Sequence, residues 1–420
     1  MARSMPILPP TPRPASGASS PFIPLQEAKR APPPRGLALW DLGFRPFYLL
    51  AALLALLSVP MWVLQFSGLL PQALLRGSVW HAHEMVFGYA LAVVIGFLFT
   101  AGRNWSGQDT PTGKPLMALA LLWLLARVLV LTPYAVPAML VNVAVPWCAA
   151  WGLWRALHAG QNSRNYFFVA LLLLIGVAAA ALHMSLLGWV PPAAAHVLQG
   201  LGLPVALDVL LFMIAVMAGR VVPMFSNNGV PGLKATRQPH VEQAALGSVL
   251  ALLLMDGWGV GGWPLLAVLL FAMVAHGVRL ALWQPWGTLR HPLVWVLHAA
   301  YAWLPIHLAL RASAQLGWTP AGPATHALTL GLIGMITLGM ITRTALGHTG
   351  RPLKAGAVER WAYLAMLLAA LLRVFGPLLA PTMLLRSAQL SAALWCLAFG
   401  LYLWRYTPML LRPRADGQPG

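Results

Sequence analysis

The amino-acid sequence predicts an all-α membrane protein, a polytopic bundle of about twelve transmembrane helices with both termini in the cytoplasm. Two observations predict this class. Of 420 residues, 59% are hydrophobic and only 9% are charged, whereas about 25% of the residues of a soluble domain are charged. Apolar runs of about 17 residues or more recur from residue 45 to residue 406, and about 20 apolar helical residues cross the hydrocarbon core of a bilayer.

The chain divides into three parts on this pattern. Residues 1 to 40 contain ten prolines and no apolar run, so we expect a disordered cytoplasmic tail. Residues 41 to 406 form the transmembrane domain, and residues 407 to 420 form a second, short cytoplasmic tail. The predicted spans are residues 45 to 67, 80 to 102, 115 to 133, 136 to 157, 166 to 188, 196 to 219, 241 to 257, 263 to 283, 292 to 312, 325 to 346, 360 to 378 and 387 to 406.

The basic residues predict the orientation of these spans. The net charge of +18 is spread over short connections and forms no basic face, which argues against a nucleic-acid partner and favours membrane lipid. A cytoplasmic N-terminus places most of the 27 Lys and Arg residues on the cytoplasmic side, as the positive-inside rule requires. An odd number of spans would scatter this asymmetry. Only four arginines then fall on the outer side, namely Arg76, Arg311, Arg373 and Arg386.

Histidines are the main candidates for chemistry within these spans. Twelve histidines is a high number for so apolar a chain, and ionisable groups at membrane depth are costly and usually functional. Cys148 and Cys396 lie inside apolar runs, which argues against a disulfide framework or a cysteine-based zinc site. Because the sequence contains no C-x-x-C-H motif, any heme would be a b-type heme without thioether bonds.

The densest cluster of such residues is the segment from Trp80 to Met85, at the start of the second predicted span. His81 and His83 are two residues apart and therefore point about 200° from each other on a helix. They could serve two different sites, heme or copper, on opposite faces. Glu84 follows His81 by three residues, so we expect it on the side of His81, where it would orient the imidazole or carry protons as a catalytic group. The alternative is that both histidines only lie at the membrane interface.

Further histidines are predicted at the same outer depth. His183 ends the fifth span and His326 begins the tenth, so each could supply an axial ligand to heme. Gly331 and Gly334 follow His326 and would allow a macrocycle to approach the backbone. The alternative for these glycines is close helix packing.

A second candidate site lies nearer the cytoplasm. His298 and Tyr301 share one face of the ninth span, and His348 ends the tenth, so the two histidines are candidate metal ligands and Tyr301 a candidate catalytic group. A single buried histidine is also often a hydrogen-bonded packing residue. Asp208, near the middle of the sixth span, is with Glu84 one of two carboxylates well inside the spans, and it is a third candidate catalytic group.

Four segments of the sequence resemble the NnrS family of bacterial membrane proteins. They run from Gly43 to Phe47, from His81 to Gly107, from Gly219 to Phe225 and from His326 to Arg351, and His183, His298 and Tyr301 also match the family pattern. The resemblance extends from residue 41 to about residue 405. It implies a heme- and copper-containing protein of the nitric oxide response in the bacterial inner membrane. It also implies a cofactor-binding role for His83, His183, His326 and Arg343.

Three function classes follow from this combination. A nitric oxide reductase needs a metal centre, protons and an electron donor such as a quinol or a periplasmic cytochrome or cupredoxin. A non-catalytic sensor or scavenger needs heme but no proton path. A transporter needs a polar central cavity, and the scarcity of central charges and the absence of an internal repeat argue against it. We expect the reductase, with nitric oxide as the substrate.

Overall fold

Long helices account for nearly all of the fold. The computed structural model describes residues 36–69 and 77–418, which contain no β-strand. Short connections and three single-turn 3₁₀ segments join the helices. The twelve long helices of these residues are α1 (Phe44–Phe66), α2 (Gly77–Ser106), α3 (Gly113–Leu129), α4 (Ala135–Ala159), α5 (Phe167–Leu186), α6 (Pro192–Gly229), α7 (Pro239–Gly257), α8 (Gly262–Leu282), α9 (Pro292–Gln315), α10 (Ala321–His348), α11 (Ala357–Leu379) and α12 (Leu384–Leu411).

The predicted class, an all-α membrane protein, is confirmed. Within the described residues, ten of the helices are long and apolar enough to cross a membrane. The two others, α3 and α7, occupy the positions of the third and seventh predicted spans, but α3 has only 17 residues and α7 is not among the ten. The number of twelve spans and the orientation of the termini therefore stay predictions.

The last helix ends later than the sequence predicted. Helix α12 continues to Leu411, through residues assigned to the C-terminal tail, because the N-terminal part of the domain binds its end. The Arg45 guanidinium donates hydrogen bonds to the carbonyls of Leu410 and Arg412 at 3.0 and 2.8 Å, and the amide of Ala38 donates to that of Leu411. Most of the predicted N-terminal tail, residues 1–35, lies outside the described residues.

Helix α6 is also longer than its predicted span, which ended at residue 219. It continues through Pro223 to Gly229, a region that its Pro and Asn content predicted to be a loop. Ser226 is one residue that secures the added turns, since its hydroxyl donates to the Val222 carbonyl at 2.7 Å. The side chain of Asn227 then forms two hydrogen bonds with the backbone of Ala235, at 2.8 and 3.0 Å, and closes the chain reversal.

Two helices contain a π-helical segment immediately after a candidate histidine. In α2 this segment is Glu84–Ala90 and follows His83; in α10 it is Ala327–Gly334 and follows His326. A π turn has more residues per turn than an α-helix and rotates the side chains that follow it, and such turns are frequent at functional sites. The two helices are joined near these segments by a hydrogen bond of 2.5 Å between the hydroxyls of Tyr89 and Thr337.

Candidate functional site

Two histidines from different helices face each other in the interior of the bundle. His83 of α2 and His183 of α5 bring their Nε2 atoms to 3.1 Å, and their rings are nearly perpendicular, with centroids 5.1 Å apart. Both side chains are buried. The structure thus pairs His183 with His83, whereas the sequence could only place His183 at the same predicted depth as His326.

A buried carboxylate fixes the orientation of His83. Glu84 Oε1 lies 2.9 Å from His83 Nδ1 and accepts a hydrogen bond of 2.8 Å from Arg127 of α3. Arg127 also donates to the side chain of Asn142 in α4. Because a carboxylate accepts hydrogen bonds, Nδ1 of His83 carries the proton. The lone pair of Nε2 is therefore directed at His183.

The expectation that Glu84 lies beside His81 is wrong. The spacing of three residues assumed a regular α-helix, but the π-helical segment begins at Glu84. A buried charge also has to be paired, and Arg127 provides the pairing charge on the His83 side. Glu84 consequently holds the imidazole of His83 in its orientation.

His81 lies in a different environment, as its angular separation from His83 implies. Its ring stacks on Trp62 of α1 with a centroid distance of 4.3 Å, and its Nδ1 atom is buried with no hydrogen-bond partner among the described residues. His81 lines a cavity of about 890 Å³ that His326 of α10 also lines. The wall of this cavity is mainly apolar; its larger side chains include Trp62, Phe66, Met85, Tyr89, Leu328, Ile333 and Trp395.

His326 presents the nitrogen that a metal would require. Its Nδ1 lies 2.9 Å from the carbonyl of Gly322, which can only accept a hydrogen bond, so Nδ1 carries the proton and Nε2 keeps its lone pair. A hydrogen bond from the second ring nitrogen to a carbonyl is the usual second-shell arrangement of a ligating histidine.

The same cavity has a second group of polar side chains. Asp208 of α6, Asp256 of α7 and Arg311 and His307 of α9 all line it. Arg311 forms a two-point ion pair with Asp256, and Asp208 lies within hydrogen-bonding reach of Asp256. Among the described residues, Oδ2 of Asp208 and Nε2 of His307 are buried without a partner. The sequence predicted Asp208 as an isolated carboxylate within its span. In the structure it belongs to this polar group.

Tyr301 belongs to another buried network, which the sequence did not predict. Its hydroxyl accepts a hydrogen bond of 2.9 Å from Arg279 and lies 2.6 Å from Nδ1 of His276. Arg279 is fully buried and binds both carboxylate oxygens of Glu242, at 2.9 and 2.6 Å. Arg279 lies within the predicted span of residues 263 to 283, and a cationic residue at that position is the sequence signal for this network.

The remaining candidates that the sequence predicted nearer the cytoplasm do not come together. His298 contacts the carbonyl of Val294 at 3.1 Å and the hydroxyl of Ser226 at 3.3 Å, as a hydrogen-bonded packing residue does. His348 packs its ring against Phe44. Arg343 places its guanidinium 3.9 Å from the ring centroid of Phe225. Among the residues that the structure describes, these three share no partner.

The donor atoms and the space present are suited to two kinds of metal group. Among the described residues, no cluster of three or more His, Cys, Asp or Glu could hold a metal ion, and the candidate donors there are pairs of imidazoles. A metal ion held in a straight line between His83 and His183, at about 2 Å from each nitrogen, would require the Nε2 atoms to move apart by about 1 Å from their distance of 3.1 Å. The cavity lined by His81 and His326, of about 890 Å³, lies within the range of about 300–1,000 Å³ found for cofactor pockets, and its imidazole nitrogens suit heme.

Comparisons with known proteins give one match. The model of a protein family described as NnrS protein matches residues 38–414, which is nearly the whole chain. A search among curated proteins found no match.

Proposed function

The chain belongs to the NnrS family, and from this premise we propose that it is a heme- and copper-binding membrane protein that binds nitric oxide and reduces it to nitrous oxide. The observation that carries the proposal is that His81 and His83 belong to two different places: His81 lines the cavity and His83 faces His183.

The cavity is the proposed heme site. His81 and His326 are the proposed ligands, because both line the cavity and His326 keeps Nε2 free. A b-type heme bound there would supply an iron that binds nitric oxide and exchanges single electrons. The mainly apolar wall of the cavity would surround the macrocycle of such a heme.

The His83–His183 pair is the proposed copper site. Imidazole nitrogens suit copper, and Glu84 holds His83 in the tautomer that offers Nε2 to a metal. His298 and His348, which the sequence also offered as metal ligands, stay predictions without a shared site, and so does Arg343 as a cofactor-binding residue. The separation of the two sites supports one heme and one copper.

The reaction sets requirements that the cavity's side chains can meet. Two nitric oxide molecules, two electrons and two protons give one nitrous oxide and one water. Asp208, Asp256 and His307 line the cavity with carboxyl and imidazole groups that can carry protons. Glu84 is less suited to this role, since one of its oxygens already contacts both Arg127 and His83. The electrons would come from a quinol or from a periplasmic cytochrome or cupredoxin.

Heme and metal analysis of purified variants tests the two sites. Replacing His81 or His326 by Ala should lower heme content and leave copper in place. Replacing His83 or His183 by Ala should lower copper and leave heme in place. His158→Ala is the control, because His158 is exposed and is not among the residues that line the cavity. Full heme retention in both cavity variants would contradict the assignment.

Turnover tests the reductase against a sensor or scavenger. Supplied with electrons and nitric oxide in the absence of oxygen, the protein should consume about two molecules of nitric oxide for each nitrous oxide that it releases, as the balanced reaction requires. Asp208→Asn should keep the heme spectrum and nitric oxide binding but lose most of the turnover. The pairing of Glu84 with Arg127 favours the second candidate, a non-catalytic sensor or scavenger, and tight binding without nitrous oxide in the wild type would establish it.

A further inference from the structure

The cavity contains one cation with no counterion among the described residues. Arg373 of α11 lines the cavity and is half-buried. No described residue offers its guanidinium a carboxylate or a hydrogen-bond acceptor. Arg311, the other arginine in the wall, is neutralised by Asp256. A charge that is partly removed from water without a partner is costly, so a partner from outside the described protein residues is expected.

The position of Arg373 indicates where that partner would lie. Arg373 lines the same cavity as His81 and His326 and is near enough for its charge to reach both rings, whereas Arg311 is paired with Asp256 in the group that contains Asp208 and His307. The cavity therefore has a cationic group beside the imidazoles of His81 and His326, and a separate group that contains the acids and His307. A ligand that fits this arrangement has a large apolar body and an anionic edge directed at Arg373.

We propose that Arg373 is the anion anchor of the cavity and binds a carboxylate of the molecule that the two histidines hold. This inference rests on the proposed function, in which that molecule is heme and the carboxylate is a propionate. The planar guanidinium donates two parallel hydrogen bonds to a carboxylate, which adds direction to the charge attraction. The anchor would set which edge of the porphyrin faces α11.

Hemin and hemin dimethyl ester are the probes that isolate this contact. The two molecules share the macrocycle and the iron, but the ester has no propionate charge. Full-length protein from heme-depleted cells, in nanodiscs of phosphatidylcholine, is titrated with each probe and followed by absorbance. Arg373→Gln should weaken hemin binding roughly 10- to 100-fold, the range of a lost charge-assisted hydrogen bond, and leave binding of the ester unchanged.

The controls separate the anchor from general charge effects. Arg386→Gln removes an exposed arginine that does not line the cavity and should change neither affinity. Arg373→Lys should keep only part of the hemin affinity, because lysine keeps the positive charge but cannot donate the two parallel hydrogen bonds of the guanidinium. An equal loss for both probes in Arg373→Gln, or no loss for either, overturns the inference while the proposed heme site remains. A wild-type protein that binds neither probe overturns the proposed function as well.

A lipid phosphate is the other source of an anion at this position. The melting temperature of the heme-depleted protein is compared in phosphatidylcholine and phosphatidylglycerol nanodiscs. We expect Arg373→Gln to leave that difference as it is in the wild type. If Arg373→Gln abolishes the difference in melting temperature between the two lipids and leaves the hemin affinity unchanged, Arg373 binds lipid and the carboxylate proposal is overturned.

Discussion

Glu84 is the residue whose role the structure changes most. One oxygen of its buried carboxylate contacts both His83 Nδ1 and Arg127, and Arg127 is itself held by Asn142. A carboxylate engaged in two charge-assisted hydrogen bonds is held in the ionised form, and it is poorly placed to release and regain protons. The arrangement is that of a positioning residue for His83.

Replacing Glu84 by Gln tests this positioning role. The amide keeps the shape but leaves the Arg127 charge buried and unpaired, which costs about 3–5 kcal/mol, and it no longer fixes the His83 tautomer. We expect a lower melting temperature and a copper affinity reduced by about 10- to 100-fold, with heme content preserved. Glu359→Gln is the matched control, since Glu359 is also buried but bonds to Tyr406. Lost turnover with copper and stability intact would instead favour proton transfer by Glu84.

Tyr301 is expected to act on stability and not on catalysis. Its hydroxyl bonds to the charged Arg279 and to His276, so Tyr301→Phe should cost about 1.5–3 kcal/mol, the range for a hydrogen bond to a charged group. Tyr363→Phe removes a similarly buried hydroxyl whose partner is the neutral Thr342, and it should cost only about 0.5–1.5 kcal/mol. Chemical denaturation in detergent measures both. Loss of nitrous oxide production in Tyr301→Phe at unchanged stability would restore Tyr301 as a catalytic group.

At the scale of helices, hydropathy and charge were sufficient to predict most of the fold. Every predicted span overlaps a helix, since length and apolarity determine where a chain can satisfy its backbone in lipid. The π-helical segments after His83 and His326 were beyond prediction, because nothing in the local pattern marks an extra residue in a turn. The same limit applies to the site. The separation of His81 from His83 follows from helical geometry, but the pairing of His83 with His183 depends on how α2 and α5 pack.

The close packing of α6 against Arg279 of α8 can be tested by substituting a single glycine. Gly219 of α6 lies against Arg279, so an added Cβ would overlap the guanidinium and approach Glu242 to 2.8 Å. Arg279 bonds to both oxygens of Glu242 and to Tyr301, so its guanidinium cannot move away from an added methyl group. Gly219→Ala should therefore destabilise the protein by about 1–3 kcal/mol. Gly277→Ala on α8, where nothing lies within 4 Å of the new Cβ, should be neutral or stabilising by up to about 1 kcal/mol. Similar melting temperatures for the two variants would contradict the packing around Arg279.

At the scale of the whole molecule, the proposed sites draw on separate parts of the chain. His81 and His83 come from α2, His183 from α5 and His326 from α10, and the cavity also uses α6, α7, α9 and α11. The proposed centre would therefore form only when the halves of the bundle pack together. The topology depends on whether α3 and α7 both cross the membrane. It determines on which side of the bilayer the candidate ligands of α5 and α10 lie, and therefore from which side an electron donor would reach them.

Reporter fusions on either side of α3 and α7 decide the topology. With twelve spans and a cytoplasmic N-terminus, the Lys and Arg distribution predicts cytoplasm for fusions after residues 110, 160 and 230, and periplasm for fusions after residues 132, 190 and 260. A reporter active only in the periplasm and one fluorescent only in the cytoplasm are read at each position, and each serves as the control for the other. If α3 does not cross, residues 110 and 132 will report the same side; if α7 does not cross, residues 230 and 260 will. A periplasmic result at residue 230 together with a cytoplasmic result at residue 190 would invert the bundle, and the His83–His183 pair would then lie towards the cytoplasm.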